Sequence, residues 1–209
     1  ALRLGVSAGS VALITSLQPI LVALAVPHLV GERVSGLNWI GLGLGLAGAA
    51  LVIVARSAVE ATSTLGLLLT FVALGAITCG TLYEKRFGVG QHPVTSNLVQ
   101  YAVGFAATLP LAGWLEPMHI AWTWQLGLSL VYLVIGNSIV AISLLLAMIR
   151  RGEASRVSAL FFLVPPSAAL AAWIMVGEHM PPLAWGGMGL AAIGVAMATR
   201  RKGRKGRKG

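Results

Sequence analysis

The residues of this sequence that could do chemistry are few, and most carry no charge. There is no Asp; the acids are Glu32, Glu60, Glu84, Glu116, Glu153 and Glu178, and four His are scattered along the chain. Metal-assisted or general acid–base catalysis needs such groups gathered on one face. This spacing does not supply that, so neither an enzyme activity nor a metal or cofactor is expected. Cys79 is the only cysteine, which excludes an intrachain disulfide. The run Gly43-Leu44-Gly45-Leu46-Ala47-Gly48 fits G-x-G-x-x-G. That fingerprint binds dinucleotides only after a strand and before a later acid. Here it lies inside an apolar stretch, and Gly41 and Gly45 stand four apart, the spacing that lets membrane helices approach closely. What remains is a set of neutral polar groups, among them Thr15, Gln18, Asn97, Gln100, Tyr101 and Asn137. Gln18 and Asn137 stand out, each with a full carboxamide near the middle of an apolar interval.

The elements that must position these groups follow from charge distribution. Of 209 residues 57% are hydrophobic and only 10% charged. A soluble domain carries about 25% charged residues, so lipid must solvate much of this surface. The charges divide the chain into seven charge-free intervals, each long enough to cross a hydrocarbon layer as a helix. Spans are predicted near 7–30, 37–55, 64–83, 94–114, 124–149, 155–176 and 182–199. With the C-terminus in the cytoplasm, Arg33, Lys85, Arg86, Arg150, Arg151, Arg156 and the seven bases of the tail RRKGRKGRKG fall on the cytoplasmic side. Only Arg3 and Arg56 fall opposite, the asymmetry of a multi-pass protein of a plasma (inner) membrane. Trp114, Trp122, Trp124 and Trp185 sit near predicted span ends, as interfacial anchors do. The tail suits contact with anionic lipid better than nucleic acid, which is not expected as a partner. The bilayer, an unidentified small solute and a second copy of the chain are the candidate partners.

The chain repeats itself. Shifted by 146 residues, 8–55 aligns with 154–201 without a gap, with Pro19 on Pro165, Gly31-Glu32 on Gly177-Glu178, Trp39 on Trp185, Gly41 on Gly187 and Gly48 on Gly194. Apolar composition alone would not put Pro, Glu and Trp in one register. The copies are offset by five predicted spans, an odd number, so they thread the membrane in opposite senses. Inverted repeats of this kind are a signature of secondary transporters. A five-helix unit predicts ten helices, of which seven are present. The start Ala1-Leu2-Arg3-Leu4-Gly5 reads as the tail of a preceding helix, so N-terminal truncation is expected.

The repeated stretches LQPILVALAVPHLVGERVSGLNWIGLGLGLAGAALVI and LVPPSAALAAWIMVGEHMPPLAWGGMGLAAIGVAMATR resemble the EamA type of the drug/metabolite transporter superfamily. That family carries, once per half, a Pro within a helix, a Gly-Glu pair at its end, a Trp-x-Gly and a Gly-rich helix. The resemblance implies an all-α integral membrane fold, seven transmembrane helices of a ten-helix 5+5 inverted-repeat transporter. Residues 1–56 would be the end of the first repeat (the last part of family helix three, then four and five), 57–199 the second repeat, and 200–209 a basic cytoplasmic tail. It further implies a permease moving amino acids, metabolites or drugs by alternating access. A truncated, non-transporting fragment is one alternative. A seven-helix receptor is another, although a retinal protein needs a Lys in its last span and 182–199 has none.

Within this frame Thr15, Gln18, Pro19, Tyr101, Asn137, Phe162 and Pro165 are the candidates for a substrate cavity. Pro19 and Pro165 are read either as paired bends beside the substrate or as packing kinks. Glu32 and Glu178 are read either as gating groups or as caps for the helix that follows each. Gly41, Gly45, Gly48, Gly187 and Gly194 are read as helix-packing positions.

Overall fold

The computed structural model of the protein describes residues 6–56, 63–88, 92–115, 122–177 and 179–200, without the side chains of 115 and 176. Its regular elements are helices: α1 (Ala8–Thr15), α2 (Gln18–Leu29), α3 (Gly36–Arg56), α4 (Thr64–Phe87), α5 (Pro93–Leu115), α6 (Trp124–Val131), a π-helical segment (Tyr132–Ala141), α7 (Ile142–Arg151), α8 (Ala154–Ala159), a 3-10 segment (Leu160–Leu163), α9 (Val164–Val176) and α10 (Pro182–Thr199). Six runs among the described residues are long and apolar enough to cross a bilayer: Ala8–Leu29, Gly36–Arg56, Thr64–Phe87, Trp124–Arg151, Ala154–Met175 and Pro182–Thr199. Seven were expected. The region 94–114 does form a helix, α5, but it is not among the six. Its first half carries Thr95, Ser96, Asn97, Gln100 and Tyr101, which dilute its apolar character.

Three predicted spans are not continuous α-helices. The first is interrupted at Ser16–Leu17, and α2 restarts with Pro19 as its second residue. The fifth passes through the π-helical segment. The sixth runs through a 3-10 turn into α9, whose second residue is Pro165. Proline lacks the N–H that the carbonyl four residues earlier would accept, yet its fixed φ suits the first turn of a helix. So each proline begins a helix rather than bending the middle of one. The two copies break at the same register, Gln18 and Val164 being 146 residues apart. The copies also end alike. Gly31 and Gly177 have φ of +75° and +70°, the left-handed conformation that terminates helices and that glycine adopts without strain.

Residues 1–83 with 153–209 form one compact unit, and 84–152 form a second. In the first, α3 lies directly against α10. A Cβ added at Gly41 would meet the backbone of Gly194 and Ala198, and one at Gly48 the backbone of Gly187 and Ala191. From the other side, Gly194 faces Gly41 and Gly45, while Gly187 faces Gly48, Leu51 and Val52. The N-terminal part of α3 thus meets the C-terminal part of α10, so the two helices are antiparallel. A shift of 146 residues exchanges these contacts: Gly41 on Gly194 becomes Gly187 on Gly48, and Gly48 on Ala191 becomes Gly194 on Gly45. The first core cluster joins the same helices through Leu42, Ala49, Val195 and Ala198, with Ala23, Ala159 and Phe162. Phe162 fills the notch over Gly45, where a Cβ would come within 2.5 Å of its ring.

The second unit is held differently. Its buried apolar side chains among the described residues are Leu146 and Ile149, beside the buried polar Glu84, Ser96 and Asn97. The π-helical segment that leads into α7 takes one extra residue per hydrogen-bonded turn, a geometry frequent at functional sites.

Candidate functional site

Each unit encloses a cavity of its own. That of the first unit, about 200 Å3, is lined by Thr15, Gln18, Ile77, Phe161, Val164 and Pro165 among others. It lies where α1 gives way to α2 and where the 3-10 turn gives way to α9, so the proline breaks of both copies open onto it. Its polar groups are oriented by their neighbours. The Thr15 hydroxyl donates to the Val11 carbonyl at 2.9 Å, and that of Ser16 to Ala12 at 2.7 Å. Thr81 gives its hydrogen to the Ile77 carbonyl at 2.9 Å. Its oxygen therefore accepts, and Gln18 Nε2 donates to it at 3.1 Å. Gln18 is buried at 4% exposure.

The second unit's cavity is larger, about 550 Å3, and more open, with Asn97, Gln100, Tyr101, Phe105 and Thr108 of α5 on one wall and Ile142 of α7 opposite. Asn97, Gln100, Gly104 and Thr108 share a face because helix positions three and four apart are neighbours. Asn97 Nδ2 donates to the Ser138 carbonyl and to Ser143 Oγ, the latter at 3.1 Å. This side chain bridges α5 to the π-helical segment and to α7. Gln100 Nε2 donates to Glu84 Oε2 at 3.3 Å. Glu84 Oε1 in turn accepts from Arg150 Nε at 2.5 Å, an ion pair with 6% and 8% of its side chains exposed. Lys85 Nζ donates to the Gly152 carbonyl at 2.5 Å, at the C-terminal end of α7, where a cation is favourable.

The expected cavity residues are placed as follows. Thr15, Gln18 and Pro165 line the first unit's cavity. Pro19 and Phe162 are fully buried in that unit, and neither lines its cavity. Phe161, next to Phe162, is the aromatic wall. Tyr101 lines the second unit's cavity. Asn137 is exposed on the π-helical segment and lines neither cavity; the carboxamide in the wall is that of Asn97. Gly41, Gly45, Gly48, Gly187 and Gly194 all make the close approaches described above. At the start of the helix that follows Glu32, the Ser35 hydroxyl accepts from the Asn38 N–H. Both Glu32 carboxylate oxygens accept from the Ala154 N–H, at 2.9 and 3.2 Å, across 122 residues of chain. The first copy's Gly-Glu thereby caps the opening helix of the second. Glu178 lies outside the described residues. Glu84, Gln100 and Arg150 do not stand out by type or position, because Glu84 and Arg150 read as charges bounding spans. The available signal is the three-residue spacing of Asn97 and Gln100.

Comparison with known proteins decides the family. The EamA-like transporter family matches residues 64–200, well over half the chain. This chain belongs to the EamA-like transporter family. As a member with six apolar helical runs, it is a multi-pass membrane protein. Two relatives of the EamA-like chain are similar along most of its length. An uncharacterised transporter, YvbV, of Bacillus subtilis (strain 168) is 27% identical over 200 residues, which is 95% of this chain and 65% of that protein. A probable amino-acid metabolite efflux pump of Escherichia coli (strain K12) is 26% identical over 204 residues, 93% of this chain and 68% of that protein. The EamA-like chain thus spans about two thirds of the length of these relatives. A crystal structure superimposes with a TM-score of 0.76 at 22% identity, covering 92% of this chain and 66% of that one, and so shares the fold.

Proposed function

We propose that this chain belongs to a permease that moves small solutes across a plasma (inner) membrane by alternating access, with its C-terminus in the cytoplasm. The reading treats it as seven spans of a 5+5 inverted repeat, α5 being the seventh. One observation carries it: α3 and α10, equivalent under the 146-residue shift, pack antiparallel, and the shift exchanges their contacts. Helices related by sequence but opposed in direction are what an inverted repeat requires, and a pseudo-two-fold contact gives two states of similar energy to alternate between. The cavity at the proline breaks supports the same reading, because interrupted helices are tolerated at membrane depth where they face protein or a wet cavity. The basic residues at the ends of α4 and α7, Lys85, Arg86, Arg150 and Arg151, support the orientation.

The test is topological. With Cys79→Ser as background, single cysteines at Ser35 and His179 should react with a membrane-impermeant maleimide from opposite sides of the membrane in intact cells and inverted vesicles. Labelling of both from one side refutes the inverted repeat, and the permease reading with it.

A further inference from the structure

We propose that the cavity of residues 84–152 takes a small solute by an N–H donor head, an ammonium or a primary amide, with an apolar or aromatic body against Phe105 and Ile142. The proposal deepens the permease reading by naming a substrate class, and it rests on that reading for its purpose.

A carboxylate and a backbone carbonyl can only accept. Gln100 faces the Glu84 carboxylate, so its NH2 must point there and its Oε1 points away. Asn97 faces the Ser138 carbonyl, so its NH2 is committed to that contact and to Ser143. Its Oδ1 is buried without a hydrogen-bond partner among the described residues. The hydroxyl hydrogen of Thr108 goes to the Gly104 carbonyl at 2.8 Å. Asn97 and Thr108 have therefore given their side-chain hydrogens to the protein, and Gln100 has given one of its two; all three keep oxygen lone pairs. The donors left in the wall are the second Gln100 N–H and the Tyr101 hydroxyl, and the acceptor lone pairs outnumber them. Asn97 Oδ1 is closed off from solvent, so a ligand N–H meets this wall at Gln100 and Thr108, which are exposed and line the cavity.

The orientation is fixed from behind. Glu84 and Arg150 are buried together and their charges cancel. A carboxylate paired with a guanidinium has only acceptor oxygens to offer, which keeps Gln100 from turning its amide over. Since the pair is neutral, the cavity offers oriented carbonyl dipoles rather than a counter-ion. An ammonium and a primary amide both satisfy it, and the rings of Tyr101 and Phe105 add a favourable face for a cation. A carboxylate head would meet more acceptors than donors and bind less tightly.

The experiment uses the full chain purified into lipid nanodiscs at neutral pH. Phenethylammonium, 3-phenylpropionamide and 3-phenylpropionate share one body and differ in the head, and their affinities are compared by calorimetric titration. At least one N–H head should bind about tenfold or more tightly than the carboxylate, the size expected for one or two hydrogen bonds; the tighter of the two names the head. Gln100→Leu should remove most of that preference. Equal binding of the three heads, tighter binding of the carboxylate, or no binding by any overturns the proposal without recourse to a variant. So does an unchanged preference in a Gln100→Leu protein that elutes and melts as the parent does. Flux into proteoliposomes separates the two ideas: head selectivity without flux leaves the site standing and counts against transport by this chain. Flux without head selectivity does the reverse.

Discussion

The two units of this chain solve the same problem by opposite means. Lipid tails are as apolar as the helices they surround, so burying apolar surface gives little drive for helix to meet helix in a membrane. The first unit answers with small residues. Gly41, Gly45 and Gly48 of α3 let Gly187, Ala191, Gly194 and Ala198 of α10 come to backbone contact, and dispersion over that close surface holds the pair. The second unit has almost no buried apolar side chains among its described residues. It is tied by Asn97 to Ser138 and Ser143, by Glu84 to Arg150 and Gln100, and by Lys85 to the end of α7. Packing of the first kind is spread over many atoms and tolerates no added volume. Polar ties of the second kind are few and each is concentrated in one side chain. The first unit should therefore fail on gaining a methyl group, the second on losing a charge.

The sharpest way to break that contrast is at Glu84. Removing one member of a buried ion pair leaves the other uncompensated, at a cost of about 3–5 kcal/mol. Glu84→Ala should lower the thermal midpoint of the purified protein more than any other single change considered. Replacing both partners by apolar residues of similar size, Glu84→Leu with Arg150→Met, should recover most of the loss. If the double variant is as unstable as the two single variants combined, the pair is not the tie described.

The next effect belongs to the first unit. Gly48→Ala and Gly194→Ala each put a Cβ into the opposing backbone, and overpacking of this kind costs about 1–3 kcal/mol. Gly43 lies between Gly41 and Gly45 in sequence, but a Cβ added there would meet nothing within 4 Å. Gly43→Ala should be neutral or slightly stabilising, since Ala favours a helix over Gly by about 1 kcal/mol. Thermal melts of the three variants side by side check this. A destabilising Gly43→Ala would show that these glycines act through helix propensity or lipid contact, not through α10.

The contrast also explains what could be read in advance. Small-residue packing is written in local spacing, so Gly41, Gly45 and Gly48 and their counterparts at Gly187 and Gly194 were legible from the repeat alone. The register of the proline breaks was legible for the same reason, although each proline opens a helix instead of bending one. Polar ties depend on which helices lie side by side, and a single sequence does not state that for 84–152. Gln18 announced itself as a lone carboxamide in an apolar run. Asn137 gave the same signal and is exposed on the π-helical segment, where no burial marks it. Glu84 and Arg150, at the ends of apolar intervals, read as ordinary boundary charges, and only the fold brings them together.

Glu32 makes the smallest and most local contribution, and it refines the comparison because it is a polar tie within the unit held by glycines. Its carboxylate accepts from the Ala154 N–H at the start of α8, where negative charge and an accepting side chain are both favourable. Glu32→Gln keeps an accepting oxygen and removes the charge, so about 1 kcal/mol or less should be lost. Global melting would barely register that within a unit whose α3 and α10 are packed backbone to backbone. Amide hydrogen exchange would register it, because opening at a helix end is governed by local rather than global free energy. Exchange should quicken at 154–157 and stay unchanged across 36–56. Quickening in both segments would mean that Glu32 also sustains the contact of α3 with α10, and the division between dispersed packing and single polar ties would then fail inside the first unit.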